Sequence, residues 1–488
     1  MPAKTDKIKI LFCAFEAMPF VKTGGLGDVA GSLPRALNEA GGSARLIMPK
    51  LGAISEKYTS KMRHIADFTV TLGWRQQYCG IESLRLGGVT CYFIDNEYYF
   101  KRPAAYGYGD DEERVAFFSM AILAALPHLK GWFPDVLHLN DWHTAMAPVY
   151  LKTRFSADKR YSSLKTVFSI HNLRFQGQFD SYFTGDVLGL GEEEARHHGL
   201  YRDGCTNMMQ GAVCCSDLLG TVSPAYAEEI CTPEYGEGLD DVFRSRKNSL
   251  RGILNGIDTK AYDPAGDKTI FRKYAAGDIP GKAANKAAVQ QELGLPVRDD
   301  LPLIVLISRL TDQKGLDLVL EVCDAILDTG VQLAILGTGD KAYEAAFSAI
   351  ANRRPESMAA IIRFDENLSH RMYAGGDMVL MPSRFEPCGL TQLYGLRYGA
   401  LPIVRETGGL KDSVAPYNKY TGEGTGFSFA NYNAAELLDT VRRAAALWYD
   451  DRESWNSMMR RAMEQDFSWS ASARKYMDMY RELCPEKE

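Results

Sequence analysis

Two cations five residues apart and one distant carboxylate carry the clearest chemistry in this chain of 488 residues. In SRLTDQKG, residues 308–315, Arg309 follows an apolar run and Lys314 precedes a helical pattern. The helix macrodipole opposes a cation at a helix start, so Lys314 calls for an anion beside it. A planar arginine fork and a lysine point charge together suit a diphosphate. A solvated pair on a loop is the plainer alternative. In FEPCGL, residues 385–390, Glu386 stands just before Pro387, a residue suited to the first helical position. A carboxylate placed there either bonds sugar hydroxyls or serves only as a helix cap.

The tetrapeptide Thr-Gly-Gly-Leu occurs in KTGGLGDV, residues 22–29, and again in ETGGLKDSV, residues 406–414. Each copy follows an apolar run and opens a helical pattern. GLGDVA, residues 25–30, also fits the G-x-G-x-x-A spacing of dinucleotide sites, but no Asp or Glu lies between Ala40 and Ser55 to hold a ribose. That argues against a nicotinamide cofactor. Gly24 and Gly25 instead let backbone N–H groups approach a phosphate or a sugar, and Lys22 brings charge to the same loop. A plain strand–helix turn would leave Lys22 and Asp28 unexplained.

HLNDWH, residues 138–143, and SIHNL, residues 169–173, put His138, Asp141, His143 and His171 at predicted strand ends. Their spacing lacks the helical His pair and third ligand of a zinc site, so no metal is expected. A single histidine is more often a structural hydrogen-bonder than a catalyst. EYYFKRPAAYGYGD, residues 97–110, reads as a loop carrying Tyr98, Tyr99, Phe100, Tyr106 and Tyr108. Such rings either stack on sugars or fold onto one another.

Positioning these groups requires two similar halves. IKILFCAF (8–15), ARLIMP (44–49), VTCYFID (89–95), DVLHLN (135–140) and LKTVFSI (164–170) are nearly continuous apolar runs, as expected of strands buried on both faces. Helix-period stretches such as ERVAFFSMAILAALPHL (113–129) separate them. The pattern repeats in LPLIVLIS (301–308), VQLAILG (331–337), AAIIRF (359–364), DMVLMPS (377–383) and LPIVRE (401–406). Alternation of this kind predicts an α/β fold with two doubly wound parallel sheets. Ligands of such sheets bind beyond the carboxyl ends of the strands, so two facing edges would form one cleft. SWSASARKYMDMYREL (468–483) is an amphipathic helix with no strand after it and must pack on something already built.

Bulk properties narrow the partners. A chain of this length exceeds one core, which favours two domains. Net charge −6 and pI ≈ 5.9 give no general attraction for nucleic acid or anionic lipid. The ten cysteines contain no Cys-x-x-Cys pair, and no segment supplies the roughly 18 uninterrupted apolar residues of a membrane span. A soluble, cytoplasmic protein is expected.

Taken in order, Lys22-Thr-Gly-Gly-Leu-Gly-Asp28, the Asn-Asp-Trp-His run at 140–143, His171-Asn172, Arg309 with Lys314, Glu386-Pro-Cys-Gly-Leu390 and the second Thr-Gly-Gly-Leu resemble the bacterial glycogen synthase and plant starch synthase family. The likeness runs from residue 8 to about 480. It implies a GT-B fold of two Rossmann-like domains facing across a central cleft, over 1–257 on the acceptor side and 258–465 on the donor side. The helix in 466–488 would cross back onto the first domain. It further implies a retaining glucosyltransferase without a cofactor, taking ADP-glucose as donor and glycogen or a maltooligosaccharide as acceptor. Carried over by residue, Arg309 and Lys314 would hold the diphosphate and Glu386 the transferring glucose. Asp141 and His171 would lie on the sugar side. Lys22, Gly24, Gly25, Asp28 and Asn255, with Phe364, Gly389, Leu390 and Thr391, would meet the donor, and Tyr98, Tyr99, Trp142 and His143 the acceptor. Phe364 departs from the family's frequent tyrosine; stacking on the base survives that change and a hydroxyl contact does not. UDP-glucose as donor, or glucan binding without catalysis, are the alternatives.

Overall fold

The structure is a computed structural model and describes residues 7–487. The chain divides into two compact units. The first holds the chain up to Val222, then Ala227–Gly256 and the segment from Trp469 onward; the second holds Ser223–Tyr226 and Ile257–Ser468.

The first unit is built on a nine-stranded sheet. In chain order its strands are β1 (Lys9–Cys13), β2 (Ser43–Pro49), β3 (Arg63–Leu72), β4 (Arg75–Leu86), β5 (Val89–Asp95), β6 (Val136–Asn140) and β7 (Lys165–Ile170). A small separate sheet of β8 (Gln178–Asp180), β9 (Tyr201–Arg202) and β10 (Cys205–Asn207) follows, before β11 (Leu218–Thr221) and β12 (Leu250–Gly252) rejoin the main one. The main order is β12-β11-β7-β6-β1-β2-β5-β4-β3. From β12 to β5 all neighbours are parallel, and these strands are buried because helices cover both faces. The β3–β4 hairpin is antiparallel and was not legible as strands: its residues alternate between covered and open faces, so no apolar run marks it.

Within this unit the helix Trp469–Leu483 packs on the helix Gly25–Glu39. Its Tyr480 hydroxyl meets His138 Nδ1 at 2.5 Å, and His138 Nε2 meets Ser169 Oγ at 2.7 Å. His138 is thus a buried structural histidine joining β6, β7 and the last helix.

The second unit has six parallel strands: β13 (Leu303–Ile307), β14 (Gln332–Leu336), β15 (Met358–Ile361), β16 (Met378–Met381), β17 (Leu401–Arg405) and β18 (Phe427–Phe429). Their order is β15-β14-β13-β16-β17-β18, doubly wound outward from the centre.

Candidate functional site

In the first unit, β1 runs into Glu16, which ends up 2% exposed. Its carboxylate accepts the N–H groups of Thr23 at 2.6 Å, Gly24 at 3.2 Å and Gly27 at 3.0 Å, and the Thr23 hydroxyl as well. These are the amides at the mouth of the helix Gly25–Glu39 that the sequence offered to a phosphate. That expectation needs correction, because an internal carboxylate already occupies those of Thr23, Gly24 and Gly27. Burial pushes the Glu16 carboxyl up, and the four donors pull it back. Lys22 pairs with Asp28 at 2.7 Å on the open side of the loop, and nothing lies within 4 Å of a Cβ built on Gly25. Glu16 was missed by sequence reasoning; its one signal was a charge interrupting an apolar run.

The strand ends β6 and β7 bring Asn140, Asp141 and His171 together. Asp141 Oδ1 accepts the His171 N–H at 2.7 Å, and Asn140 Oδ1 meets His171 Nε2 at 2.8 Å. The Asn140 amide nitrogen donates to the carbonyls of Cys13 and His138, so its oxygen must be the acceptor and Nε2 carries the proton. His171 therefore presents an unprotonated Nδ1. Burial lowers its pKa to about 4, which keeps it neutral. Burial raises Asp141 to about 7, against the two backbone donors of His171 and Asn172. Asp141 also sits at φ 55, ψ 179, a region that side chains avoid.

The expected acceptor residues separate. Tyr98 is 66% exposed and Trp142 is half-buried. Tyr99 requires correction: 97–100 is a helical turn rather than loop, and it turns Tyr99 wholly inward with its hydroxyl on Glu113. His143 is also buried, stacked 5.3 Å from Phe15 and 4.7 Å from Tyr106, and offers no face to a sugar. The loop thus folds partly onto its own aromatics. Asn255 lies buried at the end of the unit, its Oδ1 without a hydrogen-bond partner among the described residues.

In the second unit the sheet's carboxyl edge gathers the cations and the carboxylate. Arg309 follows β13 and is exposed, with no ion pair to its guanidinium among the described residues. Lys314 ends a 3-10 turn, and Gly315 at φ 69 turns the chain into the helix Leu316–Leu327. A Cβ on Gly315 would stand 1.9 Å from the Pro382 carbonyl oxygen, so only glycine fits. Lys314 Nζ contacts Glu386 Oε2 at 2.6 Å, and Ser383 Oγ donates to the same oxygen at 3.1 Å. The anion that Lys314 called for is, in this structure, Glu386. Glu386 itself is 6% exposed rather than an open helix cap. Pro387 also requires correction: the helix starts at Thr391, after Gly389 in the left-handed region at φ 69. Gln392 fixes this turn by donating to the carbonyls of Cys388 and Gly389, both at 3.0 Å. Thr391 Oγ1 reaches the Ile307 carbonyl at 3.4 Å, tying the helix start to β13. Phe364, after β15, is 86% exposed, an unobstructed ring.

The second Thr-Gly-Gly-Leu does a different job from the first. Gly408 sits at φ 44, and a Cβ there would lie 2.1 Å from the Glu386 carbonyl oxygen. Gly409 donates to that oxygen at 3.1 Å. The copy is a close-packed brace behind Glu386. Gly408→Ala is expected to cost about 2–6 kcal/mol through overpacking and φ strain. Gly25→Ala, in open space, is expected to stay within about 0.5 kcal/mol. Denaturant melts of the two variants check this; equal losses would mean that the copies are equivalent after all.

Residues 9–245 match the starch synthase catalytic domain and residues 291–462 the glycosyl transferases group 1. Glycogen synthase of Clostridium novyi is 47% identical over 97% of this chain and 98% of its own length. That of Desulforamulus reducens is 48% identical over 98% and 99%. The catalytic domain of starch synthase IV from Arabidopsis thaliana, bound to ADP and acarbose, superposes with a TM-score of 0.89 at 31% identity, covering 98% of this chain and 99% of that one. Sucrose-phosphate synthase from Thermosynechococcus elongatus, at 16% identity and TM-score 0.60, shares the fold alone.

Proposed function

We propose, from the premise that the chain belongs to the glycogen and starch synthase family, that it transfers glucose from ADP-glucose to the non-reducing end of an α-1,4-glucan with retention of configuration. The fold is GT-B and the activity class is glycosyltransferase. The observation that carries the donor is the ADP bound to the starch synthase relative, which is similar over nearly all of both chains. An exposed aromatic ring at Phe364 suits an adenine base.

Breaking the anomeric bond leaves an oxocarbenium-like sugar and negative charge on a diphosphate. In this reading Arg309 and Lys314 take that charge, helped by backbone donors at Gly389, Leu390 and Thr391. Glu386, held by Lys314 and Ser383, orients the glucose. The leaving phosphate accepts the proton of the attacking glucan hydroxyl on the same face, which accounts for retention without a protein nucleophile. His171, neutral with a bare Nδ1, accepts from a sugar hydroxyl, and Asp141 holds the His171 backbone in place. Lys22, Gly25, Asp28 and Asn255 meet the donor, and Tyr98 and Trp142 meet the glucan.

No helix among the described residues is long and apolar enough to cross a membrane, and all ten cysteines are unpaired. Reduced thiols fit the cytoplasm.

The experiment is to incubate the purified protein with glycogen or maltooligosaccharides and either ADP-glucose or UDP-glucose. Nucleoside diphosphate release, glucan length and the anomeric configuration of the new linkage are then measured. Transfer with ADP-glucose into α linkages is expected. Transfer with UDP-glucose alone overturns the donor, and β linkages overturn retention.

A further inference from the structure

Where the helix Met208–Cys215 ends, the first unit holds an open cavity of about 430 Å³. Lys152 reaches it from the last turn of the helix Met146–Thr153, and His197 and His198 from the end of the helix Glu192–His197, with Arg246 on the same wall. Four groups that carry or can take positive charge thus face one hollow in a chain of net charge −6. None of them belongs to the donor or acceptor residues.

The groups that could neutralise them are turned to other work. Asp217, the one carboxylate on the wall, accepts the Thr166 N–H at 2.8 Å and the Thr166 hydroxyl at 2.9 Å, both through Oδ2. Glu194, close enough to act on His198, pairs with Arg154 at 3.4 Å. Burial pushes the thiols of Cys214 and Cys215 up, the second to about 12, so neither is a thiolate at neutral pH. Lys152 and Arg246 make no ion pair among the described residues. The terminal nitrogens of Arg246 donate to the carbonyls of Val213 at 2.9 Å, Cys214 at 3.0 Å, Ser216 at 2.7 Å and Asp217 at 3.3 Å, which caps the helix end. A helix terminus carries about half an elementary charge, so the guanidinium keeps about half of its own for the cavity. With Lys152 that outweighs Asp217 even before either histidine is protonated.

Ser216 is an independent mark of a ligand. It is 3% exposed and stands on the cavity wall, and its Oγ has no hydrogen-bond partner among the described residues. Native proteins seldom leave a buried hydroxyl unbonded.

We infer that this cavity binds the phosphate group of a small phosphate ester. Lys152 Nζ, the ring N–H groups of the two histidines and the Ser216 hydroxyl are donors for its oxygens, and Arg246 adds charge behind them. An arriving anion also gives the histidines a reason to hold a second proton. The volume falls in the range of roughly 300–1,000 Å³ typical of small-molecule pockets, more than a bare phosphate ion fills, which leaves room for the esterified alcohol. No Trp, Tyr or Phe lines the cavity, so a nucleotide base finds no ring to stack on.

The site stands whether or not the chain transfers glucose, and Cys214 reports on it directly. Its thiol is exposed on the cavity wall, while Cys205, also exposed, lies off that wall and serves as the internal control. Alkylation of both by iodoacetamide is followed by peptide mass spectrometry in glycerol 3-phosphate, in inorganic phosphate and in sodium chloride at matched ionic strength. Glycerol 3-phosphate at about ten times its Kd should slow Cys214 about tenfold by mass action and leave Cys205 unchanged. Lys152→Ala should raise the half-protecting concentration about tenfold, as expected for one charge-assisted hydrogen bond, and Ser216→Ala should raise it about threefold. Lys152→Arg should keep most of the affinity, and Arg309→Ala all of it, which separates this site from the one assigned to the donor diphosphate. Lys152 is exposed, so its variants test binding in a folded protein. Protection by inorganic phosphate alone overturns the ester. Protection that chloride reproduces, that Lys152→Ala retains, or that never appears overturns the site.

Discussion

Arg309→Ala is expected to lower kcat by about 10² to 10³ and to leave the melting temperature where it is. The guanidinium is exposed and makes no ion pair among the described residues, so no folded-state contact depends on it. Its loss should be felt only when charge develops on a bound diphosphate. Lys314→Ala behaves differently. Lys314 is 16% exposed and Glu386 8% by side chain, and truncating one partner of such a pair typically costs about 3–5 kcal/mol. Ser383 keeps one hydrogen bond to the stranded carboxylate, which places the loss at the lower end. Lys314→Ala should therefore lose both activity and stability. Adding Glu386→Gln to it should restore most of the stability, since a neutral amide needs no counter-ion, and none of the activity. Steady-state kinetics and thermal melts on the three variants check this. A loss of less than about fivefold in kcat for both single variants would remove Arg309 and Lys314 from the diphosphate site.

Asp141→Asn is expected to change the pH dependence of stability in a definite direction. Burial lifts Asp141 to about 7 in the folded state from an ordinary value of 3.8, so between those values the folded state holds a proton that the unfolded state has released. Stability from this residue therefore falls as pH rises from about 4 to 7. His171 titrates near 4 folded, and His138 and His143 near 3, against 6.5. In their window the unfolded state holds the extra protons, so stability rises with pH. In the wild type the aspartate and the histidines oppose one another between pH 4 and 6.5. Asparagine keeps the acceptor for the His171 N–H and removes the falling component. The variant's melting temperature should climb more steeply over that range and lie above the wild type beyond pH 7. Activity should nonetheless drop by about 10², because a strained, buried acid at φ 55 is retained for what it does rather than for stability. Parallel stability curves would show that Asp141 is an ordinary carboxylate.

Much of the fold was legible because parallel strands covered on both faces must be continuous apolar runs. β1, β2, β5, β6 and β7, and the five strands from β13 to β17, all announce themselves in that way. The β3–β4 hairpin did not, since half of its residues face solvent. Site residues were legible by type: a cation near a helix start, a carboxylate before proline, glycines at a strand end. Their partners were not. Glu16 and Thr23 are seven residues apart and Lys314 and Glu386 seventy-two, and no spacing rule connects them.

The sequence by itself determined the two α/β halves, the family and the kinds of group available for phosphate and sugar, because periodicity and residue type are local properties. Tertiary structure alone decided which groups neutralise one another. Glu16 fills the amides of the first Thr-Gly-Gly-Leu, while Gly408 and Gly409 of the second brace the backbone of Glu386. It also decided that Tyr99 and His143 face inward while Tyr98 and Phe364 face out. Burial and hydrogen-bond partnership are set by neighbours distant in the chain, and those neighbours fix both the charge a group carries and the ligand it can still accept.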